Sequence, residues 1–149
     1  MFSLLARLFH YFRPSKVVKT MFRSLNITSD PIDEVSLLRE RRLSLMCGAV
    51  LVFSGIVRAE EKGEPIAGID YEVFRQMAEH QFNRLFDTME SNWPIESVRL
   101  VHRVGRVHAG QASLWVELMA PHRQEALAAM EWLIAQMKQV VPIWKHPFS

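Results

Sequence analysis

The chain has 149 residues, 49% of them hydrophobic and 23% charged, which is enough for one globular domain with a sizeable core. Its net charge of +2 is uneven, because residues 1–29 carry five basic side chains and no acid, while the remainder carries 13 basic and 16 acidic residues. An acidic domain does not suit a broad nucleic-acid interface. No apolar run reaches the ~20 residues of a membrane span, and the single cysteine excludes a disulfide framework and a thiolate zinc site.

The first 22 residues form a basic amphipathic segment. Apolar side chains recur on one face of a predicted helix, which Pro14 ends. We interpret residues 1–29 as an extension outside the core and residues 30–149 as the domain. The alternatives are an arm in which residues 1–22 contact a membrane or a partner, a targeting segment, and a start at Met21 instead of Met1.

Between residues 30 and 120 the pattern predicts an α+β domain. In chain order, the predicted elements are a helix over 33–46, a strand over 47–57, a polar turn over 59–65, a strand over 66–74, a helix over 75–91 and strands over 98–107 and 112–119. The first two strands are expected to pair as a hairpin. The arginines at positions 39, 41 and 42 are expected to be solvated.

A long amphipathic helix is predicted over residues 121–140. Pro121 suits the first helical position, and Pro142 cannot continue a helix. Lys138 then lies in the last turn, and Lys145 lies just beyond the helix. Two ammonium groups held close together disfavour each other's charge, and an uncharged lysine is a nucleophile. The alternative is that Lys138 is a solvated charge favoured by the helix dipole.

From Cys47 onward the chain resembles the large, catalytic subunit of molybdopterin synthase. Short motifs in a fixed order carry this resemblance over about 100 residues. They are Gly48-Ala49-Val50 with Phe53, Gly55 and Arg58; Tyr71-Glu72; Met77-Ala78-Glu79; His102-Arg103-Val104-Gly105 with Gly110; His122-Arg123; and Lys138 with Pro142-Ile143-Trp144-Lys145.

The resemblance implies an α/β-hammerhead-like fold of antiparallel hairpins packed with two main helices. It also implies a cytoplasmic homodimer within a heterotetramer, in which each large subunit binds a ubiquitin-like sulfur carrier ending in a Gly-Gly thiocarboxylate. The expected reaction is sulfur transfer to cyclic pyranopterin monophosphate, which builds the dithiolene of molybdopterin without a metal or a resident cofactor. The alternative is a catalytically impaired homologue that serves as a scaffold for the carrier.

Carried onto this chain, the resemblance assigns catalytic roles to two lysines and substrate binding to five other residues. The catalytic positions are Lys138 and Lys145, and the substrate-binding positions are Arg58, His122, Arg123, Val57 and His146. Guanidinium groups suit a phosphate ester because they bind phosphate bidentately. A lysine can provide the proton transfer that sulfur transfer requires.

Helix geometry separates two of these groups. His122 and Lys138 are 16 residues apart, which is about 24 Å along one helix at ~1.5 Å per residue. We therefore expect His122 and Arg123 to complete the site of the other subunit in a dimer.

Three further residues need an interpretation. Cys47 begins an apolar strand and is expected to be buried instead of carrying sulfur. His102 is expected to satisfy a hydrogen bond of the fold. Ile56 stands where the family commonly has a polar or basic residue, and the sequence ends four residues after Lys145, where relatives continue. Both departures predict a weaker positive charge around the substrate phosphate.

Overall fold

The computed structural model describes residues 19–149, so the predicted amphipathic helix within residues 1–18 lies outside the described part of the chain. The helices are α1 (Glu34–Arg39), α2 (Arg75–Asn92) and α3 (Arg123–Val140). The strands are β1 (Phe22–Thr28), β2 (Ala49–Ile56), β3 (Glu60–Glu61), β4 (Glu64–Pro65), β5 (Gly68–Val73), β6 (Ser97–Arg103), β7 (Gly105–His108), β8 (Ala112–Ala120) and β9 (Ile143–Phe148).

The main core lies between a four-stranded sheet and two helices. The sheet has the order β1-β6-β8-β2, with β1 parallel to β6 and the other pairs antiparallel. Side chains alternate between the two faces along β6 and β8, so Leu100 and Leu118 share one face. They belong to the same buried cluster as Phe82 and Phe86 of α2. Helix α3 packs beside α2 on the same face, against β2 and β8.

The predicted boundary at residue 29 has to be corrected for residues 21–28. Strand β1 pairs with β6 along its whole length, and Met21 and Ile27 are buried. Arg23 on this strand binds Asp87 and Glu90 of α2 at 2.7 and 2.5 Å. The strand belongs to the core because it covers the free edge of β6 and places alternate apolar side chains beneath α2.

A second sheet of three antiparallel strands has the order β7-β5-β9. The expected hairpin between residues 47–57 and 66–74 is therefore wrong: β2 pairs with β8, and β5 pairs with β7 and β9. The predicted strand over 98–107 is likewise divided between the two sheets. Gly105 has a φ of +75°, which only glycine adopts without strain, and the chain changes sheet there.

Residues 34–41 cover the opposite face of the four-stranded sheet. Helix α1 is shorter than the predicted 33–46 and ends at Arg39. The chain then brings Arg41 Nε to 2.7 Å from Oε2 of the fully buried Glu117, so the expected solvation of Arg41 is wrong. Arg99 Nε lies 3.1 Å from the other oxygen of Glu117, and its guanidinium stacks over Trp115 and donates to the Leu37 carbonyl. One carboxylate thus fastens this segment to the sheet.

Glu117→Gln is expected to lower the free energy of unfolding by about 3 kcal/mol, because it leaves two arginines facing a buried neutral group. The matched control is Asp87→Asn, which breaks an ion pair whose carboxylate is 69% exposed and should cost less than ~1 kcal/mol. Urea denaturation at pH 7 measures both. Equal effects would show that the Glu117 cluster contributes no more than a surface pair.

Candidate active site

The end of α3 determines where the second lysine lies. The helix closes with a hydrogen bond from the Val141 N–H to the Met137 carbonyl, and Pro142 prevents another turn. The Pro142 carbonyl accepts from the Phe74 N–H at 3.2 Å, and the chain then enters β9. Strand β9, which the sequence pattern did not reveal, pairs with β5 so that Lys145 lies opposite Tyr71.

Lys138 and Lys145 line the same cavity of about 300 Å³. Both side chains are solvent-exposed, so a ligand can reach them from outside. The other lining residues are Tyr71, His102, Met137, Val141 and Ile143. The cavity lies where α3 meets the second sheet, and it combines two cations with an apolar floor.

His102 and Tyr71 form the polar wall of this cavity. The His102 Nδ1 atom lies 2.9 Å from the Arg103 carbonyl oxygen. Burial lowers the pKa of His102 to about 4; that hydrogen bond opposes the shift, and the charge of Lys145 adds to it. The Tyr71 hydroxyl donates to Ser113 Oγ at 3.1 Å, and burial raises the pKa of Tyr71 despite this bond. Both groups are therefore uncharged at neutral pH.

A second, mostly apolar groove of about 690 Å³ runs along α3 and also reaches Lys138. Phe53 of β2 forms one side, and the exposed face of the helix forms the other. The helix residues are Leu127, Met130, Glu131, Ile134, Ala135, Lys138 and Gln139. Lys138 thus lies where the open apolar groove meets the cavity of about 300 Å³ that it shares with Lys145.

Arg58 follows the last residues of β2. Since β2 runs parallel to α3, Arg58 lies towards the end of the molecule where Lys138 is. Its side chain is 80% exposed and is 3.8 Å from Glu61, so it is free to bind an anion. Val57 is buried, and its N–H and carbonyl both bond within the chain, to Gln111 and Gly110. We do not retain Val57 in the site.

His122 and Arg123 lie at the opposite end of α3. His122 occupies the N-cap position without a side-chain capping bond, and both residues are exposed. The residue before α3 packs closely against Gly48, just before β2, where an added Cβ would lie 2.1 Å from the Pro121 carbonyl oxygen. Within one copy of the chain, the structure therefore brings the lysines together and keeps this pair away from them.

The remaining predicted positions have ordinary surroundings. His146 is exposed on β9, with Nε2 at 3.0 Å from Glu72 Oε2. Cys47 is half-buried rather than fully buried, and its thiol lies 3.4 Å from the Ala49 carbonyl. Across residues 19–149, no helix is both long and apolar enough to cross a bilayer.

The sequence pattern missed Tyr71 as a wall of the cavity and assigned His102 a role in the fold alone. The signal available was their place on the strands, where each is a polar residue on an inward, otherwise apolar face. An unexplained polar group on such a face often marks a site.

Comparison with known proteins now identifies the family. The family model described as MoaE protein matches residues 27–140. The chain belongs to the MoaE family. Relatives named molybdopterin synthase catalytic subunit include one from Staphylococcus carnosus, 35% identical over 83% of this chain and 81% of its own length. Another, from Nostoc sp., is 39% identical, and the matched region covers 66% of this chain and 60% of that relative's length.

Solved MoaE-family structures share the fold. The crystal structure of molybdopterin synthase from Staphylococcus aureus has a TM-score of 0.75 and 32% identity, covering 83% of this chain and 89% of that one. A complex of subunits 1 and 2 of the molybdopterin-converting factor from Helicobacter pylori has a TM-score of 0.70 and 28% identity, covering 83% of each chain. The predicted family and the α+β, hammerhead-like class are confirmed.

His102 is expected to make stability depend on pH. In the folded protein its pKa is about 4, against 6.5 for a free histidine. The unfolded chain therefore binds more protons between these values, and the free energy of unfolding falls by up to about 3 kcal/mol as the pH drops from 6.5 to 4. Urea titrations at pH 7 and 4.5 measure this fall. His102→Gln should reduce it, whereas the exposed His80→Gln should not; identical slopes in both variants would contradict the assignment.

Proposed function

We propose that the chain is the catalytic subunit of molybdopterin synthase and transfers sulfur from a thiocarboxylated carrier protein to cyclic pyranopterin monophosphate. The observation that carries this proposal is the meeting of Lys138 and Lys145 in one cavity. They come from different elements, α3 and β9, and the fold places them together through the β5–β9 pairing. The names of the relatives supply the reaction, and the paired lysines supply groups suited to it.

The groove along α3 suits the carrier's tail. A Gly-Gly terminus has no side chains, so it can lie extended in a narrow path and bring its thiocarboxylate to Lys138. The apolar wall of Phe53, Leu127 and Ile134 offers a surface for the residues before the glycines. The Helicobacter pylori neighbour is a complex of two subunits, which supports a partner of this kind.

The chemistry assigns a task to each lysine. The carrier's sulfur forms a bond to a pterin carbon as a carbon–oxygen bond at that carbon breaks and its oxygen departs. The acyl carbon–sulfur bond is then hydrolysed, and the oxygen of the water returns the tail to a carboxylate. Two such transfers build the dithiolene. A lysine beside the acyl group can move protons during bond breaking or form a transient covalent bond to the carbonyl carbon. Its cationic form also stabilises negative charge on the acyl oxygen.

Substrate binding is assigned to Arg58, His122, Arg123 and His146. The two guanidinium groups are exposed and match a phosphate ester in geometry and charge. Ile56, half-exposed beside Arg58, adds no charge, so the arginines carry the phosphate contact. We infer a homodimer because the lysines and the His122-Arg123 pair lie at opposite ends of α3. The resemblance further suggests a heterotetramer with two carriers that acts in the cytoplasm.

Lys138→Ala and Lys145→Ala are each expected to lower turnover at least ~100-fold, a loss of about 2.7 kcal/mol of transition-state stabilisation. The assay follows conversion of cyclic pyranopterin monophosphate to molybdopterin with purified thiocarboxylated carrier. Arg84→Ala removes an exposed cation of α2 and should leave turnover unchanged. No turnover by the wild type, with carrier binding intact, would instead identify a binding scaffold.

A shared site predicts complementation between inactive variants. Lys138→Ala mixed with His122→Ala, then dissociated and re-formed, should regain roughly a quarter of wild-type activity, because half of the dimers are mixed and each has one intact site. Lys138→Ala mixed with Lys145→Ala is the control and should regain none, since both lysines come from one copy. If the mixture of Lys138→Ala and His122→Ala regains no activity, then the lysines and His122 of one site come from the same subunit.

A further inference from the structure

His102 is the buried polar group that the proposed reaction has not yet used. It is only 6% exposed, yet it lines the cavity that contains Lys138 and Lys145. Its ring meets Tyr71 edge-on, with 5.6 Å between centroids and 74° between planes. Tyr71 is in turn held by its bond to Ser113, so the imidazole has a fixed orientation in the cavity wall.

The hydrogen bond to the main chain determines which ring nitrogen carries the proton. A carbonyl oxygen can only accept, so the 2.9 Å contact with Arg103 requires a proton on Nδ1. In the neutral ring, Nε2 then carries a lone pair. Nε2 makes no hydrogen bond to any of residues 19–149, and it is not fully enclosed. It is therefore the ring atom that a group in the cavity can reach.

Lys145 is the neighbour placed to use this lone pair. It lies opposite Tyr71 in the β5–β9 ladder, and Tyr71 contacts the His102 ring. Burial is the main cause of the lowered pKa of His102, and the charge of Lys145 adds to it, so the two groups interact. The polar groups that line the cavity together with His102 are Tyr71 from β5, Lys138 from α3 and Lys145 from β9. Of these, only the lysines are cationic donors.

We propose that His102 is a positioning residue for sulfur transfer, whose free Nε2 accepts a hydrogen bond from the Lys145 amine when that exposed side chain turns into the cavity, and so holds the amine there. The inference rests on the proposed function, because it takes this cavity as the reaction site. A buried neutral imidazole suits the role, since it orients the amine without adding a third positive charge. Being neutral, it acts by orientation and not as the acid of the reaction.

Two substitutions separate this role from a purely structural one. In His102→Asn the amide nitrogen can replace Nδ1 and keep the bond to the Arg103 carbonyl, but nothing replaces Nε2. In His102→Gln the longer amide reaches the Nε2 position and offers an oxygen acceptor. We expect Asn to lower kcat about tenfold or more with little change in KM and Tm, and Gln to restore most of the loss.

A second readout does not depend on molybdopterin synthesis. Acetic anhydride acylates accessible amines, and mass spectrometry gives the rate at Lys145 relative to the exposed Lys62 as an internal standard. His102→Asn should raise this ratio, because the Lys145 amine loses an acceptor that stabilises its protonated form and turns back to solvent, and His102→Gln should return the ratio to the wild-type value. If the wild type shows no turnover but the acylation ratio still differs between wild type and His102→Asn, the positioning role stands and the proposed function is refuted. Wild-type kcat, KM and acylation ratio in the Asn variant would overturn the positioning role.

The wild-type protein offers a test that needs no change at His102. Long-range proton–nitrogen NMR spectra of ¹⁵N-histidine-labelled protein distinguish a protonated ring nitrogen from one with a lone pair. At pH 7 we expect the proton on Nδ1, and we expect the Nε2 shift to move when Lys145 is replaced by glutamine. A proton on Nε2, or an Nε2 shift that ignores Lys145→Gln, would overturn the proposal even if both His102 variants failed to fold.

Discussion

The site depends on the way the chain leaves α3. Pro142 ends the helix because it has no N–H to donate, and its carbonyl is tied to the backbone of Phe74 just before α2. That single bond directs the following residues onto the edge of β5. Pairing along β5 then sets the register, and the register sets Lys145 opposite Tyr71. A slip of one residue would turn Lys145 to the other face of the sheet and separate it from Lys138.

Within the described part of the chain, the cations of the outer sheet face are paired with carboxylates, whereas those around the cavity are not. On the outer face of the four-stranded sheet, Arg41 and Arg99 both pair with the buried Glu117, so these cations stabilise the fold. Around the cavity, Lys138 and Lys145 make no ion pair with residues 19–149. Arg58 has only a distant contact with Glu61. Exposed cations near the end of α3 are therefore available to an anionic ligand, as the proposed phosphate ester and thiocarboxylate require.

Much of this could be read from the sequence where the signal is local. The period of apolar residues and the two prolines gave α3 within two residues of its observed bounds, and α2 was equally clear. Strand pairing could not be read, since periodicity reports which face is buried but not which neighbour a strand takes. Hence the expected partner of β2 was wrong, and β9 went unrecognised because a short stretch that follows one proline and contains another does not resemble a strand. Arg41 looked like a surface charge because its buried partner is 76 residues away.

The two lysines are attached to different sheets of the fold. Lys138 is fixed to the four-stranded sheet through α3, whereas Lys145 is fixed to the three-stranded sheet through β9. The distance between the amines is thus a property of how one sheet sits against the other. Gly105 connects the two sheets, because the chain passes there from β6 into β7. The spacing of the proposed catalytic pair can accordingly evolve through substitutions near Gly105, without any change in the two lysines themselves.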